Sequence, residues 1–415
     1  MRILIISKLF PPQEAARALQ IGKVAQAICD AGCEVAVIAG KRASKSLCSD
    51  NYSPVGSYEV QYVPYHEDTR KIPWILLPIK ICRRLKKEWD KFLWIRKARV
   101  TARKAISECK PHVIFTSSSP VDSHRVGLYL KRKTGIPWIV SFSDPWPFCL
   151  RLPPYDASET PISKTWDMWL LRQFLSKADE VHMPNNYAIQ IIEEKTNIRV
   201  SDKAWSIPHI GSKINKTRVH NKERCLVHIG ELGWERLCRP LLEAIKQVAS
   251  INKTFCGLWC VGTICIEFEN MIKQMGLEKL VKITGQVPPE KAGEIMATAT
   301  ALLVVEADMP MSPFLPSKFA DYACAKSPII AITPPVSAIR DYLGKYGGGR
   351  AVSHDTKEIV AAIRDVLSEE QVSDQDAALR QCEELSSVFN PERVGEAYIR
   401  MLRSVIIGSS SNTTQ

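Results

Sequence analysis

A short apolar run, a glycine and then a segment of helical period recur along this chain, and that alternation restricts the fold more than any other feature. Residues 2–7 read as a buried strand, 15–31 as a helix stopped by Gly32, and 33–39 as a second strand closed by Gly40. Strand, helix and strand within about 40 residues make a parallel crossover unit. Further strands are expected at 112–116, 138–142 and 180–183, with a helix at 128–133. After a polar stretch the pattern restarts, with strands at 225–229, 257–261, 281–284, 301–305 and 328–332. Helices at 240–250, 267–275, 290–297 and 317–324 alternate with them. At 415 residues the chain exceeds the roughly 250–300 at which a single core stops growing. The expectation is an α/β protein with two Rossmann-like, doubly wound domains facing each other across a cleft. The first would span 1–205 and the second 225–390, joined by a linker at 206–224. A helix at 391–407 would pack back on the first domain, ahead of a disordered tail at 408–415.

In open parallel sheets, ligands bind beyond the carboxyl ends of the strands. Gly230, Gly262 and Gly285 each close a strand in the second half. Glycine there permits a tight turn and a close approach of backbone to phosphate or base. Downstream stands Leu315-Pro-Ser-Lys-Phe-Ala-Asp-Tyr-Ala-Cys-Ala-Lys-Ser-Pro-Ile-Ile-Ala331. This string resembles the donor-binding helix of the family 4 retaining glycosyltransferases, which have the GT-B fold. On that resemblance Pro316 and Ser317 start a helix whose first amides hold a diphosphate. Lys318 adds charge against the phosphates. Asp321, one turn on along the same face, accepts the ribose hydroxyls.

His228-Ile-Gly-Glu-Leu-Gly-Trp-Glu-Arg236 is similar to the family's loop after the first donor-domain strand, and puts Arg236 at the diphosphate-binding cation. Val281-Lys-Ile-Thr-Gly-Gln-Val287 resembles the part that contacts the base, bringing in Val287. In the first half, Lys8-Leu-Phe-Pro-Pro12 resembles the family's opening loop at the acceptor side, and Thr116-Ser-Ser-Ser-Pro120 and Gly135-Ile-Pro-Trp-Ile-Val-Ser-Phe-Ser-Asp-Pro-Trp146 are similar to a branch acting on surface polysaccharides and lipid-linked sugars. Asp144 falls near the family's catalytic-site His or Asp. The pattern also departs from the family: Phe314 stands where many members carry a Glu, Glu231 replaces a second cation, and 13–16 lack the paired glycines.

Positive charge is concentrated. The formal net charge is +12, and residues 71–104 hold twelve Lys or Arg against Glu88 and Asp90 alone. Trp74, Trp89 and Trp94 lie in the same segment, and Ile81, Leu85, Trp89, Phe92 and Ile95 line one helical face. A basic amphipathic helix with tryptophans suits an anionic membrane surface. A core-facing helix with a solvated basic back is the competing reading. No nucleic-acid motif accompanies the segment, so nucleic acid is not the expected partner.

The 13 Cys include no C-x-x-C pair with metal-ligand company, and read as free thiols in a reducing compartment. The first residues carry no secretory signal, and no run approaches the ~18 apolar residues of a membrane span, so a cytoplasmic protein is expected, peripheral at most. Asp374-Gln-Asp376 has the form of a metal-binding D-x-D but reads as a helix start. No cofactor is expected; Arg236, Lys318 and helix dipoles would neutralise the diphosphate.

The resemblance implies transfer of a sugar from a nucleoside diphosphate sugar, UDP- or GDP-linked, to a hydroxyl of a saccharide or lipid-linked acceptor. It further implies retention at the anomeric carbon, by front-face displacement. Two alternatives stand beside it: a catalytically weak homologue serving as a membrane-associated partner, and a nucleotide-sugar epimerase.

Overall fold

The computed structural model describes residues 1–42, 58–65, 77–156, 160–214, 224–369 and 375–411. Seven strands form a first sheet: β1 (Arg2–Ser7), β2 (Glu34–Arg42), β3 (Glu59–Tyr65), β4 (Val113–Ser117), β5 (Trp138–Ser141), β6 (Glu180–Met183) and β7 (Ala204–Ser206). Their order is β3-β2-β1-β4-β5-β6-β7, all parallel. Central β1 is apolar at every inner position because it is covered on both faces. Leu4 and Ile6 pack into one layer with α2 (Leu77–Cys109), α3 (Asp122–Thr134) and α4 (Pro161–Lys177). Ile3 and Ile5 pack into the other, against α1 (Ala16–Asp30). A short α5 (Asn186–Thr196) follows β6.

The second sheet has the order β10-β9-β8-β11-β13-β15. Its strands are β8 (Arg224–Ile229), β9 (Phe255–Val261), β10 (Val281–Ile283), β11 (Ala301–Val305), β13 (Ile329–Ile332) and β15 (Gly349–Val352). β12 (Met311–Ser312) and β14 (Val336–Ser337) form a separate parallel pair. The helices here are α6 (Arg239–Ile251), α7 (Ile266–Gln274), α8 (Pro289–Thr298), α9 (Ser317–Cys324), α10 (Ala338–Tyr346), α11 (Thr356–Glu369) and α12 (Gln375–Phe389). The last helix, α13 (Pro391–Ser411), buries Val394, Tyr398, Met401 and Leu402 beside α1 in the first domain's core. It continues to Ser411, past the expected end at 407. Gly395 lets the two helices approach: a Cβ there would stand 3.1 Å from that of Ala27.

The two-domain, parallel α/β reading holds. The first sheet is wider than the apolar runs suggested, because β3 carries Pro64. Proline argues against a central strand but is tolerated at a sheet edge, which is where β3 lies.

The expected apolar face of α2 is split. Trp94, Ile95, Ala98, Ala102 and Ala105 are buried, whereas Trp89 and Phe92 are 59% and 46% exposed with their rings 5.5 Å apart. The alanines at four- and three-residue steps supply the seam that packs, and Trp89 and Phe92 lie off it. Lys71, Trp74, linker residues 215–223, Asp374 and the tail from 412 lie outside the described residues, as do the side chains of 77–85 and Lys87. Among the described residues, no cysteine that can be placed is in a disulfide, and no helix is long and apolar enough to cross a membrane.

Candidate functional site

The floor of the site is backbone. Gly230, Gly262 and Gly285 follow β8, β9 and β10, with φ of +99°, +130° and +68°. The Gly230 amide donates to Val261 O at 2.7 Å, and Gly262 bridges to Gly285. A Cβ on Gly262 would lie 2.4 Å from Gly230 O, so a side chain is excluded there. The sheet changes direction between β8 and β11, the place where doubly wound sheets open a crevice.

Two cations stand over this floor. Lys318, in the first turn of α9, points its Nζ to Nε2 of His228 at 3.1 Å and to Glu231 O at 3.3 Å. His228 Nδ1 lies 3.0 Å from Leu303 O, so Nδ1 carries the proton and donates, leaving Nε2 to accept from Lys318. Burial and the Arg236 charge bring Lys318 down to about 7, and burial followed by Lys318 holds His228 well below its ordinary value. Arg236 closes a short turn at Trp234–Arg236. Its Nε donates to Tyr155 Oη at 3.2 Å and its Nη1 to Glu231 O at 3.4 Å. Arg236 and Lys318 thus converge on Glu231 O, each hydrogen-bonded to neutral groups.

Pro316 is the N-cap of α9 and Ser317 its first residue. The opening amides of a helix have no intrahelical acceptor and face outward, here beside Lys318.

Asp321 departs from its expected position. Its Oδ1 accepts from Lys23 Nζ at 2.7 Å, and from the Ser212 amide and hydroxyl, both at 2.8 Å. Three residues of helix turn the chain about 300°, so Asp321 is offset about 60° from Lys318. The cation of α1 and the Ser212 amide capture it in the seam between the domains. Arg236 and Lys318 are therefore brought together, while Asp321 sits beside them on the hinge side; its Oδ2 has no hydrogen-bond partner among the described residues. Val287 is half-buried against the second domain's core.

In the first domain, Asp144 follows β5 and its Oδ2 accepts from Ser143 Oγ at 2.9 Å. His124 is a core residue: its Nδ1 lies 2.8 Å from Thr116 Oγ1, and Phe142 and Phe174 meet its ring edge-on. His209 is buried at the hinge and held down to about 3 by that burial.

Three participants were not foreseen. Glu306, at the end of β11, is buried; Ser312 Oγ donates to its Oε1 at 2.5 Å and Ser337 Oγ to its Oε2. Burial pushes its carboxyl up to about 7, against those hydrogen bonds and the Arg236 and Arg340 charges. Tyr155 of the first domain reaches Arg236 and also meets Phe314 edge-on at 4.8 Å. Arg17 of α1 donates from Nη2 to Ser141 Oγ at 3.1 Å. The single sequence signal for Glu306 was a carboxylate directly after an apolar strand; Tyr155 and Arg17 gave none.

Two parallel, doubly wound α/β sheets, with a C-terminal helix packed back on the first domain, make the GT-B fold. Residues 18–199 match the model of the Glycosyl transferase 4-like domain family. No curated protein matches the chain by sequence.

Solved structures share the whole fold at low identity. Sucrose-phosphate synthase from Thermosynechococcus elongatus has a TM-score of 0.69 at 15% identity, over 98% of this chain and 99% of that one. Anabaena HepE in complex with UDP gives 0.64 at 13% identity, over 97% and 100%. The lipopolysaccharide outer core galactosyltransferase WaaB gives 0.61 at 15%, over 97% and 99%.

Proposed function

We propose that the chain transfers a sugar from a nucleoside diphosphate sugar to an acceptor hydroxyl, with retention at the anomeric carbon. The observation that carries this reading is the convergence of Arg236 and Lys318 over the glycine floor. Among the described residues no carboxylate lies at hydrogen-bond distance from either charge, and a diphosphate would supply the counter-charge. HepE has been solved with UDP, with UDP and glucose, and with UDP-glucose, which favours a uridine donor over a guanosine one.

In this reading the diphosphate lies against Gly230 and Gly262, takes amide hydrogen bonds from Ser317 and Lys318 at the start of α9, and is flanked by Arg236. The base rests by Gly285 and Val287, and Asp321 Oδ2 accepts from a ribose hydroxyl. As the sugar–phosphate bond lengthens, charge builds on the leaving diphosphate, and Arg236 and Lys318 stabilise it without a metal. A departing phosphate oxygen takes the proton of the acceptor hydroxyl on the same face. Asp144, on the opposing wall, orients the acceptor. That acceptor is a saccharide or a lipid-linked sugar of cell-surface polysaccharide or glycolipid synthesis, presented at an anionic membrane by the basic α2.

The test is UDP and GDP binding, and donor-sugar hydrolysis, by the purified full chain. Arg236→Met and Lys318→Met are each expected to weaken UDP binding by about tenfold or more. Transfer should fall by about a hundredfold. Unchanged UDP affinity in both variants would overturn the reading.

A further inference from the structure

The reading above uses the cations of the second domain; the first domain holds another that it leaves idle. Arg17 sits half-buried in the first turn of α1, its guanidinium at the end of β5. A guanidinium has five N–H donors in a fixed fork. Among the described residues, Arg17 makes a single hydrogen bond, from Nη2 to Ser141 Oγ. Its Nε is buried and has no hydrogen-bond partner among the described residues.

The groups that line it through hydrogen bonds are neutral. Ser141 Oγ lies 2.7 Å from His182 Nδ1, and His182 Nε2 lies 3.0 Å from Ile207 O. A carbonyl can only accept, so Nε2 carries the proton, Nδ1 accepts from Ser141, and Ser141 offers its lone pairs to Arg17. Tyr398 Oη, 3.3 Å from His182 Nε2, completes the wall. His124, His182 and His209 are all held in their neutral forms, chiefly by burial and next by the Arg17 charge. The carboxylate whose charge acts on Arg17 is Asp144, which among the described residues accepts one hydrogen bond, from Ser143 Oγ. A half-buried cation whose Nε is shut off from water and whose hydrogen-bonding fork is largely unfilled is costly to maintain unless an anion completes it.

We propose that Arg17 is the anchor of an oxyanion-binding subsite on the first-domain wall, and that the acceptor carries a phosphate or carboxylate group there. The placement argues for the acceptor: Arg17 belongs to the wall opposite Arg236 and Lys318, beside Asp144 after β5. Bidentate capture of the oxyanion by the free edge of the fork fixes how the acceptor sits, and Asp144 bounds the site on its other side. The proposal rests on the donor reading only for the word acceptor; the anion subsite itself stands on Arg17.

The experiment is calorimetric titration of inorganic phosphate into the full chain saturated with UDP, so that the Arg236–Lys318 site is filled. Glucose 6-phosphate, glucuronate and dihexanoyl phosphatidylglycerol then separate a phosphorylated sugar, an acidic sugar and a lipid phosphate as the natural source. Phosphate should bind the UDP complex, and Arg17→Met should weaken it by about tenfold or more while UDP affinity stays within about twofold. Arg17→Lys, which keeps the charge in a smaller change, should recover part of the loss; a thermal melt checks that both variants are folded. Equal phosphate affinity in wild type and both variants, or no phosphate binding, would overturn the proposal. So would a tenfold loss of UDP affinity, which would move Arg17 to the donor. If the wild-type chain fails to bind UDP, the donor reading falls. The same titration on the Arg236→Met/Lys318→Met chain then decides on Arg17 alone.

Discussion

Lys318 Nζ donates to Nε2 of His228, a neutral imidazole whose own proton is committed to Leu303 O. A lysine in this setting has no carboxylate within hydrogen-bond distance among the described residues and is poised near neutrality, at about 7, by burial and Arg236 against the charge of Glu231. Binding a diphosphate should restore its proton. UDP binding at pH 8 is therefore expected to take up protons, read as an apparent enthalpy that varies with the ionisation enthalpy of the buffer. UDP affinity should fall as pH rises from 7 to 9, and Lys318→Met should remove both effects. Buffer-independent enthalpy in the wild type would count against this picture.

The same lysine sets a direction for stability without ligand. Its folded value, about 7, lies below its ordinary 10.5, so between those pH values the unfolded chain holds more protons. Its destabilising effect is full below pH 7 and is relieved as pH rises toward 10.5. Lys318→Met is expected to melt above the wild type at pH 6.5, with the gap narrowing by pH 9.5. A gap that widens with pH would reverse the sign.

Glu306 offers a contrast between two variants. Glu306→Ala leaves the Ser312 and Ser337 hydroxyls without their acceptor and should cost about 1–3 kcal/mol per buried group left unpaired. Glu306→Gln keeps an acceptor and cannot ionise. The folded carboxyl, at about 7, lies above its ordinary 4.5, so the wild type loses stability as pH climbs from 4.5 through 7. Glu306→Gln should be level with wild type near pH 5 and gain on it by pH 8. Denaturant melts at the two pH values decide.

The two turn glycines of the floor should behave differently. Gly262→Ala meets Gly230 O at 2.4 Å as well as a left-handed φ, whereas Gly285→Ala meets nothing within 4 Å. Gly285→Ala is expected to cost about 1–2 kcal/mol from φ alone. Gly262→Ala should cost more than that and displace the Gly230 turn, with loss of UDP binding. Equal melting temperatures for the two would mean the close approach relaxes freely.

How far the sequence reached follows from what each signal encodes. Strands buried on both faces, such as β1 and β11, are continuous apolar runs, and these were legible with their glycines. The edge strand β3 was not, because its Pro64 obeys a rule for central strands that an edge escapes. Lys318 and Arg236 were legible through a local string of residues. Asp321 came from the same string, yet its partners, Lys23 and Ser212, are set by the packing of α1 and the hinge against α9. Arg17 and Tyr155 belong to the cleft only once the first domain is folded against the second, a relationship no spacing along the chain expresses.

The exposed aromatics of the first domain lead to the last prediction. Trp89 and Phe92 project from α2, and on α4 of the same layer Trp166 and Trp169 stack at 5.0 Å with both rings about half exposed. Lys91, Arg96, Lys97 and Lys104 of α2 lie along the helix that bears the first pair. Tryptophan at an interface combines an apolar face with a wettable edge, and each nearby Lys or Arg adds about 1 kcal/mol on an anionic surface. The full chain should therefore float with vesicles containing phosphatidylglycerol and not with pure phosphatidylcholine. Binding should weaken at an ionic strength of about 0.5 M, where screening shortens to a few ångströms. Trp89→Ala/Phe92→Ala should cut the bound fraction at least as much as neutralising Arg83, Arg84, Lys86 and Lys87 together. Binding that ignores both lipid charge and these substitutions would show that the aromatic pairs face a protein partner or water, and that α2 is basic for another reason.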